Sequence, residues 1–217
     1  MNADPSVEDA RPVPHAAEAI ALAYESTAEV AAGFRISVPQ GGCRRVEIGD
    51  AMLKAELCRA VLDMHPGPGR RLTVLGAEVG KLAAGERAAL RARVGFLPAA
   101  GGLLGNLNAW ENIVLPIGYH SPRQLPKMAQ RVNALLNRLG APPRALLGKL
   151  PEEMTLLEKK LTGGVRVLVE APDLVLAEDL DGGLDAAQRG TAARLAEAYL
   201  ATHSRGTWVQ LEDGATT

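Results

Sequence analysis

Residues 171–185 read APDLVLAEDLDGGLD, and within them the apolar run Leu174–Ala177 is followed at once by two carboxylates, Glu178 and Asp179. A short, unbroken apolar run predicts a strand that is buried on both faces, as in a parallel sheet covered by helices. The carboxylates then lie at the carboxyl end of this strand, the edge where open α/β sheets bind their ligands.

The chain on either side of this segment alternates between predicted strands and helices. Further strands are predicted at residues 19–24, 34–39, 45–48, 71–76, 94–97 and 207–211, and helices at 51–64, 87–93, 125–139, 151–170, 186–201 and from Asn108 onward. This alternation is typical of an α/β domain with a mostly parallel central sheet. The strand-rich first third predicts an antiparallel N-terminal β edge, and about residues 100–170 predict an inserted helical lobe. We expect one domain over residues 17–217 after a disordered lead at residues 1–16.

The composition excludes several classes of function. The 217 residues carry 24 basic and 25 acidic side chains, a net charge of -1, so no overall positive field attracts nucleic acid or anionic lipid. The acidic start of the chain is unlike a signal peptide, and no apolar run approaches the length of about 18 residues that a membrane span needs. Cys43 and Cys58 are expected to be reduced, and the four scattered histidines do not predict a metal site. We expect a cytoplasmic protein that meets a membrane only through a partner.

Two parts of the chain resemble the nucleotide-binding subunit of an ABC transporter. The segment VGFLPAAGGLLGNLNAWENIVLP at residues 94–116 is similar to the family's passage from the Q-loop strand into its helical lobe, and residues 171–185 are similar to its Walker B strand and D-loop. The resemblance covers roughly residues 18–212 and is closest to the lipid-trafficking, Mla-type ATPases. It implies a P-loop NTPase-like, ABC-type core, ATP and Mg²⁺ as cofactors, and a membrane permease or an active ATPase subunit as partner at the inner membrane.

The stretch that corresponds to the family's phosphate-binding loop is incomplete. A Walker A loop wraps phosphate with backbone N–H groups at a helix N-terminus, which requires glycines, and adds a lysine. The resemblance places cofactor binding in the stretch GDAMLKAEL, at Gly49, Lys54, Ala55 and Glu56. Here Leu53 replaces the second glycine, the loop is one residue short, and the hydroxyl residue that would hold Mg²⁺ is missing. We therefore expect ATP and Mg²⁺ to bind weakly or not at all; the alternative is an ordinary helix with an exposed Lys54.

Four other positions that handle phosphate in the family also differ. At the end of the Walker B strand, Glu178 takes the place of the metal ligand and Asp179 that of the catalytic carboxylate, so the two side-chain lengths are exchanged. An oxygen displaced by about 1 Å is enough to reduce the rate about 10²-fold. Apolar or small residues stand at the three remaining positions: Pro98 and Ala99 at the Q-loop, Leu156 and Leu157 in the signature, and Leu211 at the switch histidine.

Four residues are assigned to partner interfaces, and each has an alternative structural role. Trp110, Glu111 and Tyr119 lie in the predicted lobe and would contact a permease, because aromatic side chains often anchor interfaces. The favoured alternative is that at least one of the two aromatic residues closes the small core of the lobe, and helix capping explains Glu111 equally well. Asp185 would contact a second subunit through the D-loop, or it would cap the helix at residues 186–201.

Three hypotheses of function follow from these patterns. The first is an ABC-type subunit with degraded catalytic motifs, a pseudo-ATPase or interaction subunit of a membrane transport complex, with lipid as the cargo that the closest resemblance implies. The second is a working ATP-hydrolysing subunit that uses Lys54, Glu178 and Asp179. The third is an unrelated soluble α/β binding protein.

Overall fold

The computed structural model describes residues 19–27 and 34–214, so the expected lead at residues 1–16 lies outside the described part of the chain. In the described residues the strands are β1 (Ile20–Ser26), β2 (Arg35–Pro39), β3 (Gly42–Ile48), β4 (Arg70–Val74), β5 (Ala77–Glu78), β6 (Val94–Leu97), β7 (Leu174–Glu178) and β8 (Thr207–Asp213). The helices are α1 (Ala51–Asp63), α2 (Ala84–Arg91), α3 (Ala109–His120), α4 (Leu125–Leu139), α5 (Pro143–Leu146), α6 (Leu156–Glu170) and α7 (Ala186–Thr202).

A parallel sheet of order β3-β8-β7-β6 forms the centre of the molecule. Its strand β7 is buried along Leu174–Ala177, as the unbroken apolar run predicts. Strand β8 lies between β3 and β7, so Ile48 stands opposite Asp213, and Glu178 stands opposite Leu211. The loop before α1 and the carboxylates after β7 therefore meet at one edge of one sheet, where the α/β pattern predicts a site.

The N-terminal strands form an antiparallel sheet of their own, of order β2-β1-β4-β5, rather than an edge of the parallel sheet. The inner side chains of this sheet, among them Leu22, Tyr24 and Leu72, share a core with Leu57 of α1 and Leu211 of β8. Apolar contact across the two sheets thus holds α1 in place beside both of them.

Helices α3, α4 and α5 lie between β6 and α6 in the chain and form the helical lobe. Helix α6 packs against α3 and α4 and also reaches β6 and α7, so it connects the lobe to the sheet. The helix predicted from residue 151 begins five residues later, at Leu156, because Thr155 accepts a hydrogen bond from the backbone N–H of Glu158 and caps it. Within the described residues, no helix combines the length and the apolarity that crossing a membrane requires.

Candidate functional site

The N-terminus of α1 is capped by a carboxylate of the chain itself. Strand β3 ends at Ile48, and Asp50 then accepts hydrogen bonds from the backbone N–H groups of Met52 (2.8 Å) and Leu53 (3.2 Å). These are the N–H groups that would hold a phosphate at a strand–loop–helix site, because the first N–H groups of a helix have no partner inside it. As the loop is arranged, Asp50 takes the position of the anion, and Gly49 before it is exposed.

Lys54 is buried and is paired with a second carboxylate. Lys54 is only 7% exposed, so the alternative of an exposed lysine is wrong. Its Nζ forms an ion pair with Asp213 at the end of β8. Burial lowers the pKa of Lys54, but the hydrogen bond to Asp213 and the charges of Asp213, Asp179 and Glu178 outweigh that effect, so the pKa is raised. Lys54 is therefore a firmly protonated cation surrounded by carboxylates.

Sequence reasoning missed Asp213. The residue follows the last predicted strand, and the only signal for its role is that parallel strands bring their carboxyl ends to the same edge of a sheet. The strand register explains how Asp213 comes close to Lys54. Asp213 lies directly opposite Ile48, and Ile48 is the last residue before the loop that leads into α1.

The two residues after Lys54 do not share one environment. Ala55 is exposed on α1. Glu56 accepts hydrogen bonds from the Tyr24 hydroxyl (2.7 Å) and from Nε of Arg70 (2.7 Å), so its carboxylate is tied to the antiparallel sheet. The hydrogen bond from Arg70 lowers the pKa of Glu56 against the opposing effect of burial, and the bond from Tyr24 lowers it further. The negative charge that the sequence places near phosphate is thus neutralised by Arg70.

Glu178 and Asp179 end β7 in a tight turn. Asp179 adopts a left-handed backbone conformation (φ +45°), which is uncommon for a residue with a side chain, and its N–H donates to the carbonyl of Leu211 (2.7 Å). Its carboxylate folds over Gly182, where a Cβ would overlap it. In residues 19–27 and 34–214, no three side chains of His, Cys, Asp or Glu converge as a metal site would require.

Lys160, which sequence reasoning also missed, binds the backbone of this turn. The residue is 1% exposed, and its Nζ donates to the backbone carbonyls of Asp179 (2.6 Å), Leu180 (3.0 Å) and Gly182 (2.8 Å). Burial lowers the pKa of Lys160, and the nearby charge of Asp179 opposes that effect. Three carbonyl oxygens thus surround one ammonium group, so the position of Asp179 depends on a residue of α6.

The loop after β6, which the family resemblance assigns to the Q-loop, lies directly on α6. Arg166 of α6 donates to the carbonyls of Gly102 (2.8 Å) and Gly101 (3.1 Å). A Cβ on Gly163 would overlap the Gly101 carbonyl oxygen, so the two backbones approach as closely as only glycine allows.

Two of the leucines that the family resemblance assigns to phosphate-handling positions begin α6, and the third, Leu211, lies within β8. Leu156 and Leu157 pack in part against the core of the lobe. Leu211 is fully buried beneath the edge of the sheet. None of the three side chains carries a group that binds phosphate.

The outer face of the lobe carries a shallow apolar groove of about 420 Å³ along α3. Tyr119, which is 83% exposed, and Leu115 line it together with Glu111. Glu111 also caps α3, because its carboxylate accepts from the N–H of Asn108 (2.8 Å), so the capping role and a surface role are compatible. Trp110 packs in part against the core of the lobe, in agreement with the alternative that an aromatic residue closes this core.

Asp185 lies away from this groove, at the start of α7. It caps that helix by accepting from the N–H of Gln188 (2.9 Å). The geometry thus accounts for Asp185 as an N-cap, and its assignment to a subunit contact stays a prediction.

This combination of a parallel sheet, a separate antiparallel sheet and an inserted helical lobe is the fold of an ABC transporter ATP-binding subunit. The solved structure of cbiO1 from Clostridium perfringens, described as part of the ABC transporter complex cbiONQ, superposes with a TM-score of 0.70 over 90% of this chain and 80% of that chain. Sequence identity between the two is 15%, so this likeness shows the fold alone.

Sequence comparison extends the assignment from the fold to homology. The chain is 31% identical over 148 residues, 68% of its length, to the lipoprotein-releasing system ATP-binding protein LolD of Novosphingobium aromaticivorans. It is 33% identical over 111 residues, 51% of its length, to the macrolide export ATP-binding/permease protein MacB of Agrobacterium fabrum. The chain is therefore homologous to ATP-binding subunits of ABC transporters.

These matches are partial. They span 63% of that LolD and 17% of that MacB, which is less than two thirds of either relative. No protein-family profile matches the sequence.

Proposed function

We propose that this chain is an interaction subunit of an ABC-type membrane transport complex and that it does not hydrolyse ATP. The observation that carries the proposal is the double occupation of the phosphate site by the chain's own carboxylates. Asp50 takes the N–H groups at the start of α1, and Asp213 takes the buried ammonium of Lys54. As placed, these residues do not fit a bound triphosphate, because both groups of donors are engaged and the added charge would meet four carboxylates: Asp50, Glu178, Asp179 and Asp213.

The other positions of the site support the same proposal. Leu156 and Leu157 put side chains where close approach of backbone to phosphate needs glycine, and buried Leu211 offers nothing to a γ-phosphate or a water molecule. The fold is kept at every one of these positions. Since a fold does not by itself carry an activity, a scaffold that lacks these groups supports an interaction role.

The partner that we propose is a membrane permease subunit, with an active ATPase subunit as a second partner in the same complex. MacB of A. fabrum carries both functions in its name, cbiO1 is described as part of a transporter complex, and LolD is named for lipoprotein release. The groove along α3, with its exposed Tyr119 and Leu115, offers an apolar surface for such a contact. The chain would then lie at the cytoplasmic face of the inner membrane, and lipid or lipoprotein would be the cargo.

A working ATPase is the second candidate function. It is favoured by the convergence of Lys54, Glu178 and Asp179 at one edge of the sheet, where the charges of both carboxylates act on the lysine. For this function, Lys54 would have to leave Asp213, and Asp50 would have to release the N–H groups of α1.

The interaction role is tested by isolating the native complex from detergent-solubilised membranes with a tagged chain. We expect a polytopic permease subunit to co-purify with the wild type and to be lost with Tyr119→Glu, since a charge there enters the apolar groove. Arg138→Glu, a change at an exposed residue of α4, is the matched control and should retain the permease. A permease that is absent from the wild-type preparation, or retained equally by Tyr119→Glu, would refute the proposed interface.

A further inference from the structure

The charge of the chain is distributed unevenly, although the net charge is only -1. Residues 112–151, which run from α3 to just before α6, carry six basic side chains and no carboxylate. The rest of the chain is therefore acidic, and the helical lobe carries a positive charge of its own. A local field of this kind attracts an anionic surface even where the molecule as a whole does not.

Three of these basic residues follow one side of α4. Lys127, Arg131 and Arg138 are separated by four and seven residues, and such spacings bring side chains to the same side of a helix. They extend over about 16 Å, given the rise of an α-helix. Arg123 lies four residues before Lys127, in the helical turn Pro122–Gln124, and is exposed. We call these four residues the basic stripe.

Apolar packing and one hydrogen bond fix the orientation of the basic stripe. The apolar residues on another side of α4 are buried in the core of the lobe: Met128, Val132, Leu136 and Leu139. Lys127 and Arg138 are exposed as a consequence. The half-buried Arg131 donates to the carbonyl of Leu168 (2.9 Å) near the end of α6, so its charge is held between these two exposed residues.

The basic stripe has no carboxylate partner in the part of the chain that the structure describes. None of its four members forms an ion pair there. Glu111, the one carboxylate in residues 109–151, caps α3 by accepting from the N–H of Asn108. Like charges four residues apart, such as Lys127 and Arg131, destabilise a helix, and an anionic partner would remove that repulsion.

One end of the basic stripe adjoins the apolar groove along α3. Leu125, which lines the groove, lies between Arg123 and Lys127 in the chain. Tyr119 and Leu115 expose large apolar side chains in the same groove. Exposed aromatic and aliphatic side chains beside basic ones are typical of surfaces that bind at the headgroup level of an anionic bilayer.

We propose that the basic stripe binds the anionic headgroups of a phospholipid bilayer. The exposed side of α4 lies along the membrane surface, with the apolar groove at one end of the contact. A nucleic acid would present phosphate to the basic side chains but would gain nothing from the apolar ones. The choice of lipid over another polyanion also rests on the proposed function, which places the lobe toward the membrane.

Co-sedimentation of the 217-residue chain with phospholipid vesicles tests this proposal. We expect binding to vesicles made of equal parts of phosphatidylcholine and phosphatidylglycerol and little binding to phosphatidylcholine alone. High salt should weaken the binding, because it screens the charges. Each basic side chain near an anionic leaflet strengthens binding about fivefold. The double substitution Lys127→Glu and Arg138→Glu should therefore weaken binding to the mixed vesicles at least about 25-fold.

Two further variants separate the position of the charges from their number. Arg44→Glu combined with Arg205→Glu is the matched control, since both arginines are exposed, lie outside the lobe and give the same change of charge. This control should lose far less binding than the stripe variant. Lys127→Arg combined with Arg138→Lys should bind like the wild type, because an anionic surface responds to the positive charge rather than to the side-chain type.

A wild type that does not bind the mixed vesicles would overturn the proposal and leave an acidic protein as the occupant of the stripe. Equal losses in the stripe variant and the matched control would overturn it as well. Equally tight binding of a DNA duplex would overturn the choice of lipid. The proposed function fails separately, because permease capture in detergent depends on Tyr119 and not on the basic stripe.

Discussion

Replacing Asp213 by asparagine removes the charge that faces the buried Lys54 ammonium while keeping the size of the side chain. Lys54 has a side chain that is only 9% exposed, so water replaces little of the lost partner. Hydrogen bonds to charged groups contribute about 1.5–3 kcal/mol. The Asp213 side chain is 63% exposed, and solvent screening reduces this figure to about 1–2 kcal/mol. For a chain of this size, Asp213→Asn should therefore lower the melting temperature by about 2–8 °C.

The matched control is Asp173→Asn. Asp173 pairs with Arg93 at 2.6 Å, and its side chain is 53% exposed, close to the exposure of Asp213. Its partner differs, because the Arg93 side chain is 55% exposed. Loss of such a surface pair should cost about 0–1 kcal/mol, so the difference between the two variants measures the burial of Lys54.

The same variant also tests whether Asp213 occupies the place of a phosphate. With Lys54 released, inorganic phosphate should restore part of the lost stability of Asp213→Asn, since a ligand that binds the folded state raises its stability. It should leave the wild type unchanged. Thermal unfolding with and without phosphate provides both measurements. Equal stability of Asp213→Asn and the wild type, or an equal response of the two to phosphate, would refute this reasoning.

Three further predictions concern the surroundings of the site. Lys160→Met should lower the free energy of unfolding by about 3 kcal/mol or more in urea titration, because several buried carbonyls lose their donor; an unchanged midpoint would contradict this. Gly163→Ala should destabilise the folded protein by about 1–3 kcal/mol, because the new Cβ overlaps the Gly101 carbonyl. Gly190→Ala, in open space on α7, should instead stabilise it by about 0.5–1 kcal/mol. Equal effects of the two substitutions would exclude the close backbone contact. Because the pKa of Glu56 is lowered in the folded state, its contribution to stability is full above its ordinary pKa of 4.5 and is lost as the pH falls through the folded-state pKa. Glu56→Gln should therefore make the free energy of unfolding fall less steeply with decreasing pH. The same acid dependence in Glu56→Gln and the wild type would disprove this prediction.

Local signals in the sequence predict most elements of the fold. The apolar run at Leu174–Ala177 gives β7, and the amphipathic pattern gives α4 at Leu125–Leu139, ended by Gly140 in a left-handed conformation. The start of α3 follows from Asn108 and Glu111, three residues apart, which form a capping box. These signals depend on neighbours along the chain, so sequence alone carries them.

The candidate site was less accessible, since its decisive contacts join distant parts of the chain. Lys54 and Asp213 are 159 residues apart, and Lys160 reaches a turn about 20 residues away on another element. No periodicity marks either pair. The burial of Lys54 and the orientation of Glu56 toward Arg70 likewise depend on how α1 packs between two sheets.

The central claim, that the chain's own carboxylates exclude nucleotide, is tested most directly by calorimetric titration of MgATP into the wild type. Loss of two or three charge-assisted contacts weakens binding by about 10³-fold or more, which moves an affinity in the micromolar range to the millimolar range. We therefore expect no saturable heat below millimolar MgATP, and no release of phosphate from the same sample. Saturable binding at sub-millimolar MgATP that Lys54→Ala abolishes would contradict the account.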